Sequence, residues 1–193
     1  MLNKLDKYTI ILGSNSSRRK EILEKMNIKV EVRASNIDES ITSDINIIEI
    51  PVFLAQKKSN SLSKDLKEKE ILITADTVVI YKEKIITKPK NSLDAKKILE
   101  KLSNHTHQVI TGVCIRSQNK EHTFSNTTEV TFNKLNDNDI DYYIKQFNPY
   151  DKAGSYGIQE WIGLIGVKKI KGSYTNVVGL PSSQVYQELN KFI

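Results

Sequence analysis

Two β-rich stretches, residues 107–117 and 121–135, are separated by only Gln118, Asn119 and Lys120. A connection that short joins antiparallel neighbours, because parallel strands need a crossover of a dozen residues or more. Lys82-Glu83-Lys84 makes a second tight turn, between the run 71–81 and Ile85-Ile86. Elsewhere β-type and helix-type patterns alternate, as in α/β chains. The hairpins exclude a purely parallel sheet. The expected class is therefore α/β, or mixed α+β, with a mixed sheet and flanking helices.

Around that centre, 8–14 and 28–34 are predicted as strands. Residues 16–26 are predicted as a helix capped by Ser16, with an apolar stripe of Ile22, Leu23 and Met26. Residues 35–48 are a polar loop followed by a stretch without clear period. Pro51 is suited to the first turn of a helix running to about residue 64. The run 71–81 is β-rich, with an interruption expected at Ala75-Asp76-Thr77. A helix over 91–104 is assigned Ser92 as cap, and one ending at Phe147 is assigned Asn136 or Asp137. Residues 161–170 are expected to be extended, and Pro181 to start a last helix.

A chain of 193 residues, 38% of them hydrophobic, suits one domain, or two small lobes, over the whole of 1–193. No apolar stretch approaches the roughly 18 residues of a membrane span. The first residues lack the pattern of a signal peptide, so a cytoplasmic location is expected. The single cysteine, Cys114, lies in an apolar run and reads as a buried, inert thiol. The formal charge of +6 comes from scattered lysines rather than a basic block interleaved with aromatics. Nucleic-acid binding is not indicated by it, and an anionic small substrate fits equally.

Several residues are candidates for chemistry. Arg18 and Arg19 sit where a strand turns into a helix, a place where unpaired N–H groups and guanidinium forks suit phosphate; a solvated helix start is the alternative. Asp76 interrupts two β-forming runs, and a charge there needs a partner or a cation unless it marks a turn. Lys88, held extended by Pro89, can reach a phosphate or simply face water. Asp38 and Glu39 can complete a magnesium site with Asp76 or be solvated. His105 and His107 have strand-ligand spacing, but without partner ligands a polar contact outweighs zinc. In the Gly-containing stretch 151–159, Tyr156 can stack on a base and Gln159 can read its edge.

Together these motifs resemble the Maf-like family of nucleoside triphosphate pyrophosphatases, from Ile11 to about Pro181. Ser14-Asn15-Ser16-Ser17-Arg18-Arg19 is similar to the family opening, with Ser17 in place of the usual proline. Phe53-Leu54-Ala55-Gln56-Lys57-Lys58, Ala75-Asp76-Thr77-Val78-Val79, Thr87-Lys88-Pro89, the segment from Leu102 to Val113 with His107, Tyr156-Gly157-Ile158-Gln159 and Asn176–Pro181 resemble its later motifs. The resemblance implies a two-lobed mixed sheet like that of inosine triphosphate pyrophosphatases, with a cleft between the lobes. It implies hydrolysis of a nucleoside triphosphate to the monophosphate and pyrophosphate, with a divalent cation (magnesium or manganese) as cofactor. Asp76 and Glu39 are the implied catalytic and metal-binding carboxylates. Ser14, Arg18, Arg19, Lys58, Thr77, Lys88 and Gln159 are the implied substrate-binding residues. Ala75-Asp76-Thr77 with Tyr156–Gln159 implies the subtype acting on dTTP and UTP rather than 7-methyl-GTP, with Arg18, Thr77 and Gln159 associated with that choice. A pyrophosphatase for another, non-standard nucleotide stays open, as does a non-catalytic regulator of cell division binding nucleotide or nucleic acid. The expected partner is the nucleotide, with no membrane; a homodimer stands open beside the monomer.

Overall fold

The Gln118–Lys120 turn closes as a hairpin, with the Ser117 N–H donating to the Lys120 carbonyl at 2.9 Å. The computed structural model describes residues 2–40 and 45–193. Among these, the elements run α1 (Leu2–Leu5), β1 (Thr9–Leu12), α2 (Ser17–Lys25), β2 (Val30–Val32), α3 (Ile50–Leu62), β3 (Glu70–Tyr81), β4 (Lys84–Ile86), α4 (Ser92–Leu102), β5 (Thr106–Arg116), β6 (Glu121–Phe132), α5 (Asp137–Phe147), α6 (Trp161–Gly166), β7 (Val167–Lys171), α7 (Tyr174–Val178) and α8 (Ser182–Phe192). The strand order is β2-β1-β3-β5-β6-β7, with β4 paired to β3. β1 is parallel to β2 and β3, whereas β4 and β7 are antiparallel to β3 and β6. The sheet is mixed, as the hairpins require.

The chain divides into two compact units. One comprises Met1–Asp76, Thr111–Asn126 and Gly179–Ile193; the other comprises Thr77–Ile110 and Thr127–Val178. In the first unit β1 lies between two parallel neighbours, and its Ile10, Ile11 and Leu12 are all buried. An uninterrupted apolar run is what a strand covered on both faces needs. Ser16 caps α2 by accepting the Arg19 N–H, and Ile22 and Leu23 are buried as expected. α3 carries Pro51 in its first turn. Gly112 of β5 faces that turn closely: a Cβ there would lie 2.2 Å from the backbone of Pro51 and Val52. Only glycine permits that approach. α8 follows Pro181 and buries Val185, Leu189 and Phe192 along one stripe.

In the second unit α4 and α5 pack Leu99, Leu102, Ile140, Tyr143 and Ile144 into a core with Val79, Phe132 and Ile158. The β3–β4 turn places Lys82 and Glu83 at φ of 48° and 57°. α5 starts at the Asn136 cap and ends in left-handed Asn148 before Pro149.

Four expectations are corrected. β3 is one strand through Asp76, not two; the partner that makes a charge tolerable there is described below. The α4 cap is Asn91, whose Oδ1 accepts the Asp94 N–H at 2.9 Å; Asn91 is extended, while Ser92 is already the first helical residue. Residues 161–166 are helical rather than extended. The Glu160 carbonyl accepts from the Gly163 and Leu164 N–H groups, and Gly163 lies against the Ile158 carbonyl where any Cβ would clash. An apolar run without polar positions carries no period to reveal that helix. β2 is shorter than 28–34 predicts. Part of the stretch 35–48, residues 41–44, lies outside the described residues.

Candidate active site

β1 ends at Leu12, and the loop after it brings Ser14 to Arg19. The Arg19 Nη1 donates to Ser14 Oγ at 3.1 Å, and its Nε donates to the Gly179 carbonyl at 2.9 Å. The Ser14 Oγ also accepts the Ser16 N–H at 3.2 Å. Burial is the main influence on Arg19 and lowers its pKa; Asp76 and Glu39 oppose that, and Arg18 adds to it. A guanidinium stays charged even so. The side chain is thus a fixed cation whose fork is already oriented.

Lys58 falls on the buried stripe of α3, with Leu54, Ala55 and Leu62. Its ammonium lies 2.6 Å from Asp76 Oδ1 and 2.8 Å from Glu39 Oε1. Lys58 is 7% exposed and Asp76 9%. This pairing explains the unbroken β3, since a buried charge in a strand costs several kcal/mol unless paired. Two residues earlier on the same face, Thr74 Oγ1 donates to the Ala55 carbonyl at 2.7 Å and fixes α3 against β3. Asp38 does not join the cluster; its carboxylate accepts from the N–H and hydroxyl of Ser40.

The first unit therefore brings together Ser14, Arg19, Lys58, Glu39 and Asp76, with Arg18 half-buried in the first turn of α2. The other three expected residues belong to the second unit. Thr77 is half-buried on β3, Lys88 is exposed in the loop after β4, and Gln159 is exposed on a turn. Tyr156 is corrected: it is 5% exposed, its hydroxyl is 2.8 Å from His107 Nε2, and it meets Phe132 edge-on. It is part of the core and presents no face to a base. His105 Nδ1 lies 2.8 Å from the Ser103 carbonyl, so each histidine has a polar partner other than a metal. Cys114 is buried, and burial raises its pKa, which keeps it an inert thiol.

Among the described residues no three His, Cys, Asp or Glu side chains gather as metal ligands. Asp76 and Glu39 are nonetheless two carboxylates held on one ammonium. Hard oxygen donors of that number fit a divalent ion such as magnesium, which takes one or two carboxylates and completes its shell with water and substrate phosphate.

Burial pushes His107 down from its ordinary 6.5 to about 4. Between those two values the unfolded chain binds a proton that the folded chain does not. Stability is therefore full above 6.5 and falls as pH drops through that window. The loss is expected to reach about 2 kcal/mol at pH 5. Urea midpoints at pH 7 and pH 5 measure it, and a His107→Asn chain, which cannot titrate there, should lack that part of the drop. An equal drop in both chains would contradict the assignment.

Three residues beside Gln159 are not evident from the sequence. The Tyr143 hydroxyl donates to Glu160 Oε2 and accepts the Gly157 N–H at 3.0 Å. Lys152 is 8% exposed, and its ammonium reaches Glu160 Oε1 at 3.1 Å and Asp151 Oδ1 at 2.8 Å. The available signal was two opposite charges, Lys152 and Glu160, flanking a stretch otherwise devoid of charge.

A family model described as a Maf-like protein matches residues 9–192. A relative from Phocaeicola vulgatus named dTTP/UTP pyrophosphatase is 50% identical over 192 residues, covering 99% of this chain and all of that one. One of the same name from Parabacteroides distasonis is 49% identical over 193 residues, covering the whole of both. A third, from Flavobacterium johnsoniae, is 44% identical over 190 residues, covering 98% of each chain. Among solved structures, the Staphylococcus aureus Ham1 protein is 16% identical, with a TM-score of 0.44 over 64% of this chain and 71% of that one.

Proposed function

The chain belongs to the Maf-like family, and we propose that it hydrolyses nucleoside triphosphates, dTTP and UTP by preference, to the monophosphate and pyrophosphate. The observation that carries this reading is Lys58, buried and held between Asp76 and Glu39, in the same unit as an oriented Arg19.

Cleavage between the α and β phosphates needs a water aimed at the α phosphorus and countercharge for the departing pyrophosphate. Arg18 and Arg19 bind phosphate oxygens with forked donors, and Ser14 holds the Arg19 fork in place. Lys58 fixes the orientation of the Asp76 carboxylate. Asp76 takes the proton from the attacking water as the bond to phosphorus forms and the bond to the bridging oxygen breaks. Asp76 and Glu39 are the residues that would hold a divalent cation, which supplies countercharge to the phosphate oxygens. Lys88, just before Pro89, is a further candidate cation for the phosphates.

Base choice rests on Gln159 and Thr77. The thymine or uracil edge presents an N3–H donor between two carbonyl acceptors, and one carboxamide can meet a donor and an acceptor together. Cytosine replaces these with an amino donor and a bare N3 acceptor. With the carboxamide held in one orientation, the mismatch leaves polar groups unpaired and is expected to cost roughly ten- to a hundredfold. The test is pyrophosphate release from dTTP, UTP, CTP, ATP, GTP and 7-methyl-GTP, with magnesium or manganese. Highest kcat/KM for dTTP and UTP is the expected result. CTP or 7-methyl-GTP as best substrate would overturn the subtype, and no release from any of them would overturn the activity.

A further inference from the structure

Gln159 is a flexible, exposed side chain on a turn, yet the proposed base choice asks it to present donor and acceptor in a set direction. The turn around it is held far more firmly than a surface turn needs. The Glu160 N–H donates to the Gly157 carbonyl at 3.0 Å, which alone closes the turn. Beneath it, the fully buried Tyr143 takes the Gly157 N–H and donates to the Glu160 carboxylate. Buried Lys152 grips the other oxygen of that carboxylate. Gly157 makes the room: a Cβ there would lie 2.5 Å from Glu160 Cδ. Just before the turn, the Tyr156 hydroxyl pairs with His107 and its ring packs on Phe132. The residues on both sides of Gln159 are thus tied to the core, and Gln159 alone projects outward. Burying a lysine, a phenol and part of a carboxylate is costly to a fold and is a poor way to gain stability. What such a network does provide is a single backbone direction for the residue it brackets.

We propose that Tyr143, Glu160 and Lys152 are positioning residues for nucleobase selection: they fix the 157–160 turn so that Gln159 extends to the base from one backbone position and direction. This rests on the function proposed above and deepens it. None of the three needs to touch the nucleotide; they act through Gln159.

The test is Tyr143→Phe, which keeps the ring and removes the hydroxyl. The expected result is a fall of roughly tenfold in the dTTP-to-CTP ratio of kcat/KM, carried by a higher KM for dTTP with kcat within about twofold of the parent. A purely structural role would reduce turnover of all nucleotides alike and leave the ratio unchanged. In a Gln159→Ala background the same change should have no further effect on the ratio, because the residue it acts through is gone. Should Tyr143→Phe not fold, Glu160→Gln and Glu160→Ala replace it. The glutamine retains a carbonyl to accept the Tyr143 hydroxyl but turns its NH2 toward the Lys152 ammonium, so it should keep part of the preference, whereas alanine should lose it. A parent-like ratio in Tyr143→Phe, an equal drop with and without Gln159, or matching ratios in the two Glu160 variants would overturn the inference. If the unmodified protein releases no pyrophosphate from any triphosphate, the proposed function itself fails; if it is active and selective while the variants behave like it, only this inference fails.

Discussion

Asp76→Asn is expected to retain the fold and lose turnover of dTTP by about a thousandfold, the range over which a positioned general base contributes. Asparagine matches aspartate in shape, and its carbonyl can still accept from the Lys58 ammonium where Oδ1 now does. Lys58 also keeps Glu39. The buried cation is therefore not left alone, which is the usual route by which breaking a buried pair destabilises a protein. What disappears is the negative charge that the proposed mechanism needs to take a proton from water and to help hold a cation. Pyrophosphate release under saturating dTTP measures the loss, and a thermal melt checks the fold. Turnover within tenfold of the parent would remove Asp76 from the role of catalytic carboxylate.

Replacing Arg18 and Arg19 by alanine together is expected to lower kcat/KM for dTTP by a similar factor, for a different reason. Two charge-assisted contacts to phosphate at roughly 1.5–3 kcal/mol each give a combined loss of about a hundred- to ten-thousandfold. Competition separates binding from folding. Pyrophosphate should inhibit the double variant far more weakly than the parent, and thymidine, which has no phosphate, should inhibit both alike. Equal weakening of both inhibitors would assign the arginines to the fold. Arg19 has such a part as well, through the Gly179 carbonyl, so Arg19→Ala is expected to be the less stable of the two single variants.

What the sequence made legible was local. Ser16 and Asn136 cap helices because their side chains reach an N–H three residues on. Pro51 and Pro181 mark helix starts because proline needs no donor there. Other features of the site have distant causes. Asp76 looks like a strand break until Lys58, 18 residues away, is brought 2.6 Å from it. Lys58 itself drew notice only through the family resemblance, although its spacing of four from both Leu54 and Leu62 puts it on an apolar stripe. Tyr156 is indistinguishable in sequence from an exposed aromatic, and only His107 and Phe132 show where it goes. Tyr143 belongs to a regular amphipathic helix, and nothing local says that its hydroxyl serves a turn 14 residues later.

The interleaving of the two units orders events on the ribosome. Synthesis runs from the N-terminus, and domains generally fold as their chain becomes complete. The second unit has all its residues once Val178 has emerged, whereas the first, although it holds residues 1–76, also needs Gly179–Ile193. The part of the protein made first is thus the part finished last. Arg19 waits for Gly179, 160 residues downstream, before its Nε acquires the carbonyl it donates to. Contacts of that separation form slowly, since the intervening chain must first be ordered. A nascent chain stalled short of residue 179 lacks the carbonyl on which the Arg19 Nε is set, so the arginine proposed to bind phosphate is not yet in place.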